Sequence, residues 1–154
     1  MTVHSVSLRA GDARDVALVD ALMAAFDPRY GEAWTRGQTL GVLAMPGVRL
    51  LLAEDEAGPA GFALTRTIMD EAELLLLAVA PDRRRRGVGG ALLRAVIAAC
   101  REQGAATLHL EVRGGNPAVE LYAAHGFHKV GERRGYYRGR DGAQYDAHTY
   151  SRTL

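Results

Sequence analysis

The chain has 154 residues, the length of one domain, and its 48% hydrophobic and 24% charged residues are typical of a packed globular protein rather than a disordered one. A formal net charge of +1 argues against a general attraction to nucleic acid or anionic membranes, and no apolar run approaches the ~20 residues that span a bilayer. The single cysteine, Cys100, excludes an internal disulfide, and the amino end has no charged-then-apolar leader, so we expect a cytoplasmic protein.

The first half of the sequence predicts three strands and two helices. Asp12 and Asp15 resemble a capping box at the start of a helix with one apolar face, which the Asp-Pro pair at 27–28 ends. A Pro-Gly pair at 46–47 ends the second helix. The predicted elements are a strand at 3–8, helices at 12–27 and 32–45, a strand at 48–53, a turn at 56–59 and a strand at 60–68.

The second half predicts a strand–helix–strand unit followed by a helix and a hairpin. The apolar run LLLLAV at 74–79 fits a strand buried on both faces, and residues 87–104 have the apolar spacing of a helix. In a strand at 107–113, alternation places Glu111 on the polar face. Asn116 is the expected N-cap of a helix that ends at His125. Strands at 127–132 and 145–154 follow, joined by a polar loop at 133–143.

These elements describe a single α/β domain, residues 1–154, built around a mixed sheet. The sequence contains no internal repeat and no low-complexity linker that would divide it. We expect the crossover of the strand–helix–strand unit to be right-handed.

The stretch VAPDRRRRGVGGALL, residues 79–93, places four arginines directly before the amino end of the predicted long helix. Unpaired N–H groups at a helix amino end favour an anion, glycines let the backbone approach it closely, and arginine supplies forked donors for phosphate oxygens. A pyrophosphate group fits this pattern. A solvated charge run and a nucleic-acid contact are the alternatives, while the Lys-Ser/Thr pair of a nucleoside triphosphate loop is missing.

The same stretch resembles the acetyl-CoA loop of the GCN5-related N-acetyltransferases, whose motif Arg/Gln-x-x-Gly-x-Gly/Ala is met by Arg84, Gly87 and Gly89. The flanking segments AELLLLAV, LHLEVR, NPAVELYAAHGF and ERRGYY are similar to the ribosomal-protein-alanine acetyltransferase branch over residues 72–147. The resemblance implies a mixed, mostly antiparallel sheet with about four helices and a splayed central strand pair. It also implies acetyl-CoA as co-substrate and no metal.

The resemblance implies two groups of cofactor contacts. The backbone of the strand before the loop would hold the pantetheine arm, and the loop would hold the pyrophosphate. The implied cofactor-binding residues are Leu77, Ala78, Val79, Arg84, Arg85, Arg86, Gly87, Val88, Gly89, Gly90 and Asn116. For Asn116 a plain N-cap is the alternative, because its interval to Tyr122 is one residue shorter than is usual in the branch.

By the same resemblance, Glu111 is the general base and Tyr122 the general acid. The alternatives are a solvated glutamate on a strand face and a core tyrosine. Tyr136, Tyr137 and Asp146 match positions by the peptide-accepting groove, although each could equally be ordinary surface.

The resemblance implies transfer of an acetyl group from acetyl-CoA to a primary amine, by direct attack, with a protein amino terminus of the ribosomal-protein-alanine type as acceptor. Acetylation of a small amine, such as a polyamine, amino acid or antibiotic, remains open, as does a non-catalytic acyl-CoA sensor. We expect no nucleic-acid or membrane partner and a monomer or homodimer.

Overall fold

The computed structural model describes residues 5–154 and contains a seven-stranded sheet. Its strands are β1 (Ser7–Gly11), β2 (Val48–Asp55), β3 (Gly58–Ile68), β4 (Glu71–Val79), β5 (Thr107–Arg113), β6 (His128–Arg138) and β7 (Gln144–Thr153). Their order is β1-β2-β3-β4-β5-β7-β6, and only β4 and β5 pair in parallel. The predicted mixed, mostly antiparallel sheet is confirmed.

Four α-helices occur among the described residues: α1 (Val16–Leu22), α2 (Arg36–Leu43), α3 (Val88–Glu102) and α4 (Ala118–Ala124). Buried residues of α3 and Tyr122 of α4 pack on one face of the sheet, and buried residues of α1 pack on the other. The strand β4 contributes to both layers, since Leu74 lies in the first and Ala78 in the second. The predicted strand with two buried faces is therefore confirmed.

Several predicted boundaries were wrong for local reasons. Residues 3 and 4 of the first predicted strand lie outside the described residues, and β1 ends at Gly11 rather than at residue 8. The α-helix expected to reach residue 27 ends at Leu22, because a 3-10 turn at Met23–Ala25 follows it. The second helix begins at Arg36 instead of residue 32, because Thr35 and Gln38 form a reciprocal capping box there.

The loop predicted at 133–143 is largely strand. β6 continues to Arg138, with an irregular register between Arg133 and Tyr137, so that only residues 139–143 form the turn. Gly135 has a φ of 63° in this irregular stretch, and its N–H donates to Asp146 Oδ1 at 2.9 Å. Glycines and charged residues dominate 133–143, so composition alone suggested a loop.

Candidate functional site

The sheet opens at its centre, between β4 and β5. Their parallel pairing runs from Glu71 opposite Thr107 to Leu74 opposite Leu110 and ends there, although β4 continues to Val79. At the point where the pairing ends, the register between β3 and β4 shifts and leaves Leu75 unpaired, as in a β-bulge. The edge of β4 that faces away from β3 therefore presents backbone groups without a strand partner.

Two adjoining cavities fill this opening. The first has a volume of about 210 Å³ and lies between the splayed strands, with Glu111 in its wall. The second, of about 540 Å³, extends along Leu77, Ala78 and Val79 to Arg84. The residues that line both cavities are Phe26, Glu32, Leu77, Asn116, Ala118 and Tyr122. These shared walls make one continuous cleft from the strand opening to the arginine loop.

The amino end of α3 forms a cradle at the far end of this cleft. Gly87 is its N-cap with a φ of 82°, and no side chain caps the helix. The first N–H groups of α3 are thus available to an anion. A Cβ on Gly89 would lie 3.3 Å from Leu121 Cδ2, so glycine allows a close approach between α3 and α4. Val88 and Gly90 also line this cradle.

The four arginines divide into different roles. Arg83 is buried and donates to Asp55 Oδ1 at 3.0 Å and to the Pro59 carbonyl at 3.2 Å, so it anchors the loop to the β2–β3 hairpin. Arg84 and Arg85 line the second cavity, and Arg84 Nη2 donates to the Ala25 carbonyl at 2.7 Å.

The predicted cofactor residue Arg86 is exposed and lies outside the cavity linings. A cofactor contact of its side chain stays a prediction.

Glu111 points into the first cavity from the polar face of β5. Its side chain is 17% exposed, and its Oε1 accepts from Arg133 Nε at 2.9 Å. Arg133 is 63% exposed and belongs to β6, the strand at the sheet's edge. The carboxylate predicted to be the base therefore lies in the cleft with an exposed counter-ion.

Tyr122 is buried where the two cavities meet and packs edge-on against Phe127, with ring centroids 5.9 Å apart. Burial raises the pKa of Tyr122 well above its ordinary value, and the negative charge of Glu32 raises it further. The phenol is thus held in its protonated form. Tyr122 is therefore a core residue that also lines the cleft, and its role as general acid stays a prediction.

The carboxylate of Glu32 is a site residue that sequence reasoning missed. It accepts from Arg113 Nε and Asn116 Nδ2, both at 3.3 Å, and its side chain is 11% exposed. Arg113 in turn lies 3.6 Å from the ring centroid of Tyr30. Alternation predicted the polar face that carries Arg113, but no local motif in 28–34 indicated its partner.

Of the remaining predicted residues, three line the cleft and one, Asp146, does not. Pro117 rather than Asn116 is the N-cap of α4, and Asn116 Oδ1 accepts from the Ala118 N–H at 2.9 Å while its amide donates to Glu32. Tyr136 and Tyr137 line the first cavity, and burial raises the pKa of Tyr137, with the charges of Glu32 and Glu111 adding to the shift. Asp146 is exposed, lies outside the cavity linings and accepts from the Gly135 N–H, so a substrate contact of its side chain stays a prediction.

Two kinds of feature are absent from the part of the chain that the structure describes. No group of three or more His, Cys, Asp or Glu side chains in residues 5–154 is arranged to hold a metal ion. Within the same range, every helix is too short or too polar to cross a bilayer.

Two features define the class of this α/β fold. The mostly antiparallel sheet opens between its two parallel strands, and an uncapped helix amino end lies beside the opening. The chain belongs to the acetyltransferase (GNAT) family, whose model matches residues 17–127.

Curated relatives match part of the chain. The chain is 45% identical over 86 residues to an Escherichia coli K12 protein named [ribosomal protein bS18]-alanine N-acetyltransferase, a match covering 55% of this chain and 58% of that one. It is 35% identical over 115 residues to the Haemophilus ducreyi protein of the same name, covering 74% and 79%. The first match thus spans little more than half of that relative.

Solved structures show a similar fold over nearly the whole chain. The ribosomal-protein-S18-alanine N-acetyltransferase from Escherichia coli superposes with a TM-score of 0.85 at 29% identity, covering 97% of this chain and 94% of that one. A putative phosphinothricin N-acetyltransferase superposes with a TM-score of 0.84 at 26% identity, covering 97% and 99%.

Proposed function

We propose that this protein transfers an acetyl group from acetyl-CoA to the terminal α-amine of a protein. One observation carries the proposal: Glu111 and Tyr122 share the cavity at the strand opening, and this cavity continues to the cradle at the start of α3. Family membership and the relatives named for ribosomal-protein-alanine acetylation support it. We place the reaction in the cytoplasm.

The residues of the cleft fit coenzyme A. The uncapped amino end of α3, with Arg84 and Arg85 beside it, suits a pyrophosphate, because N–H donors and guanidinium groups converge there. The unpaired edge of β4 at 77–79 offers backbone groups to an amide-bearing chain. The bound cofactor supplies an activated thioester, which an amine lone pair can attack.

We assign proton removal to Glu111. An α-ammonium has no lone pair, so it must lose a proton before it attacks a carbonyl carbon. Its ordinary pKa is ~7.7 to 8.0 and that of lysine is ~10.4, so a terminal amine costs about 3.5 kcal/mol less to deprotonate at neutral pH. A single carboxylate, acting directly or through a water molecule, is therefore better matched to a terminal amine than to a lysine side chain.

We assign Tyr122 to the leaving sulfur. Full proton transfer from a phenol to a thiolate is uphill, because an ordinary phenol has a pKa of ~10 against ~8.5 for a thiol. Burial widens this difference by raising the pKa of Tyr122. The hydroxyl therefore stabilises the developing thiolate charge chiefly by donating a hydrogen bond, and bulk water completes the protonation.

Mass spectrometry of peptides incubated with acetyl-CoA tests the proposal. Peptides of one sequence with alanine, serine or methionine first are compared with a peptide whose amino terminus is blocked and which carries a lysine, and with free polyamines. We expect acetylation of the free amino terminus, led by alanine, and a loss of at least ~10²-fold in rate for Glu111→Gln. If only the polyamines are acetylated, the acceptor is a small amine and the proposed protein acceptor is wrong.

A further inference from the structure

Two glutamates that line the cleft, Glu32 and Glu111, are each paired with an arginine, and the two pairs differ in how exposed they are. The side chains of Glu32 and Arg113 are only 11% and 12% exposed. Glu111 is 17% exposed, but its partner Arg133 is 63% exposed. Only one of the two carboxylates thus has a counter-ion with ready access to solvent.

Further contacts fix the buried pair. Glu32 also accepts from Asn116, and the guanidinium of Arg113 stacks on Tyr30 with 3.6 Å between Cζ and the ring centroid. Removing either partner would leave a largely desolvated charge, which is costly. This pair therefore stays closed while a substrate binds, and Glu32 cannot readily accept a second cation.

The exposed pair can open at low cost. Ion pairs with an exposed partner contribute little to stability, because water solvates the exposed charge nearly as well as its partner does. The guanidinium of Arg133 is 63% exposed, and its aromatic contact is a distant one, with 5.4 Å between Cζ and the ring centroid of Tyr136, so it loses little by turning into solvent. A cation arriving at Glu111 can therefore take its place, whereas a neutral group would leave the carboxylate without a counter-charge.

Sheet geometry explains how Arg133 reaches Glu111 from two strands away. Glu111 lies opposite Thr149 on β7, and Thr149 lies opposite Gly131 on β6. No heavy atom lies within 4 Å of a Cβ placed on Gly131, so the row beside Glu111 is open. Arg133 is two residues further along β6, on the same face, and its side chain extends across this gap.

Building on the proposed function, we infer that Arg133 occupies the position beside Glu111 that the acceptor's ammonium takes, and that Arg133 moves away when this ammonium binds. The exchange keeps the charge of the cleft constant and admits the amine as a cation. Glu111 then accepts the proton from the ammonium to which it is paired. Arg133 is thus a positioning residue and a built-in competitor for the acceptor site.

NMR of the arginine side chains tests the exchange without any acetyl transfer. The Nε–H signal of Arg133 is assigned by its absence from Arg133→Gln. We expect this signal to move towards that of free arginine when an alanine-first peptide is added, and not when the same peptide with an acetylated amino terminus is added. A shift with both peptides, or with neither, would overturn the inference.

Steady-state kinetics give a second, independent result. Without the competing guanidinium, Arg133→Gln should lower the KM for the peptide about two- to fivefold, the range expected from an exposed ion pair. Arg133→Lys and Arg134→Gln, the matched control on the neighbouring arginine, should keep the KM of the wild type. An unchanged or raised KM in Arg133→Gln contradicts the inference. If the wild type transfers no acetyl group, the proposed function fails, while the NMR result still decides the exchange.

Discussion

The buried ion pair between Arg83 and Asp55 gives the sharpest stability prediction. Asp55→Asn keeps the side-chain volume and the oxygen that accepts from the Ala57 N–H at 2.9 Å, but it removes the charge facing Arg83. Truncating a partner of a buried pair costs about 3–5 kcal/mol. Here the asparagine oxygen and the Pro59 carbonyl still accept from the guanidinium, so we expect a loss of about 2 kcal/mol in the free energy of unfolding.

Asp82 supplies a matched control. It pairs with the same guanidinium at 3.3 Å, but its side chain is 76% exposed. Asp82→Asn should therefore cost no more than about 0.5 kcal/mol. Urea unfolding followed by circular dichroism measures both values, and Asp55→Asn should also lower Tm by about 4–8 °C. Equal losses for the two variants, or a negligible loss for Asp55→Asn, would refute the anchoring role of Arg83.

Three further predictions concern the cleft. Tyr122→Phe should lower kcat by about 10²-fold with little change in peptide KM, because it removes only the hydroxyl that donates a hydrogen bond to the leaving sulfur; an unchanged kcat would show that Tyr122 takes no part in the reaction. Gly89→Ala should weaken coenzyme A binding about three- to tenfold, as measured by calorimetry, because the added Cβ crowds Leu121. Gly41→Ala is the control, since its Cβ meets open space: coenzyme A binding should be unchanged and the free energy of unfolding should rise by about 0.5–1 kcal/mol. Glu32→Gln should lower the raised pKa of Tyr137, because a nearby negative charge disfavours the phenolate. Ultraviolet titration of the tyrosines measures this pKa, and a value that does not fall would show that Glu32 is too far from Tyr137 to affect it.

The elements with strong periodicity were predictable from the sequence. Apolar spacing predicted α3, and alternation predicted β5 with Glu111 on its polar face; both are present in the structure. Local side-chain contacts moved other boundaries. Thr35 and Gln38 together start α2. β6 continues to Arg138 through a stretch whose composition is typical of loops, and Asp146 accepts from the Gly135 N–H in its irregular part.

Contacts between distant segments were not predictable in this way. Glu32 and Arg113 are 81 residues apart in sequence, and Arg83 and Asp55 are 28 apart, so no local pattern links them. The tertiary structure also separates four arginines that look equivalent in sequence, since Arg83 is buried while Arg84 and Arg85 line the cleft.

The sequence by itself determined the strand–loop–helix unit around the arginines and the position of Glu111 and Tyr122 on their elements, because backbone periodicity and capping depend on neighbours a few residues away. Only the tertiary structure decided which charges meet in the cleft: Glu32 with Arg113, and Glu111 with Arg133. The physical reason is that an ion pair depends on distance in space and on desolvation, and both arise when the sheet brings remote strands and loops together.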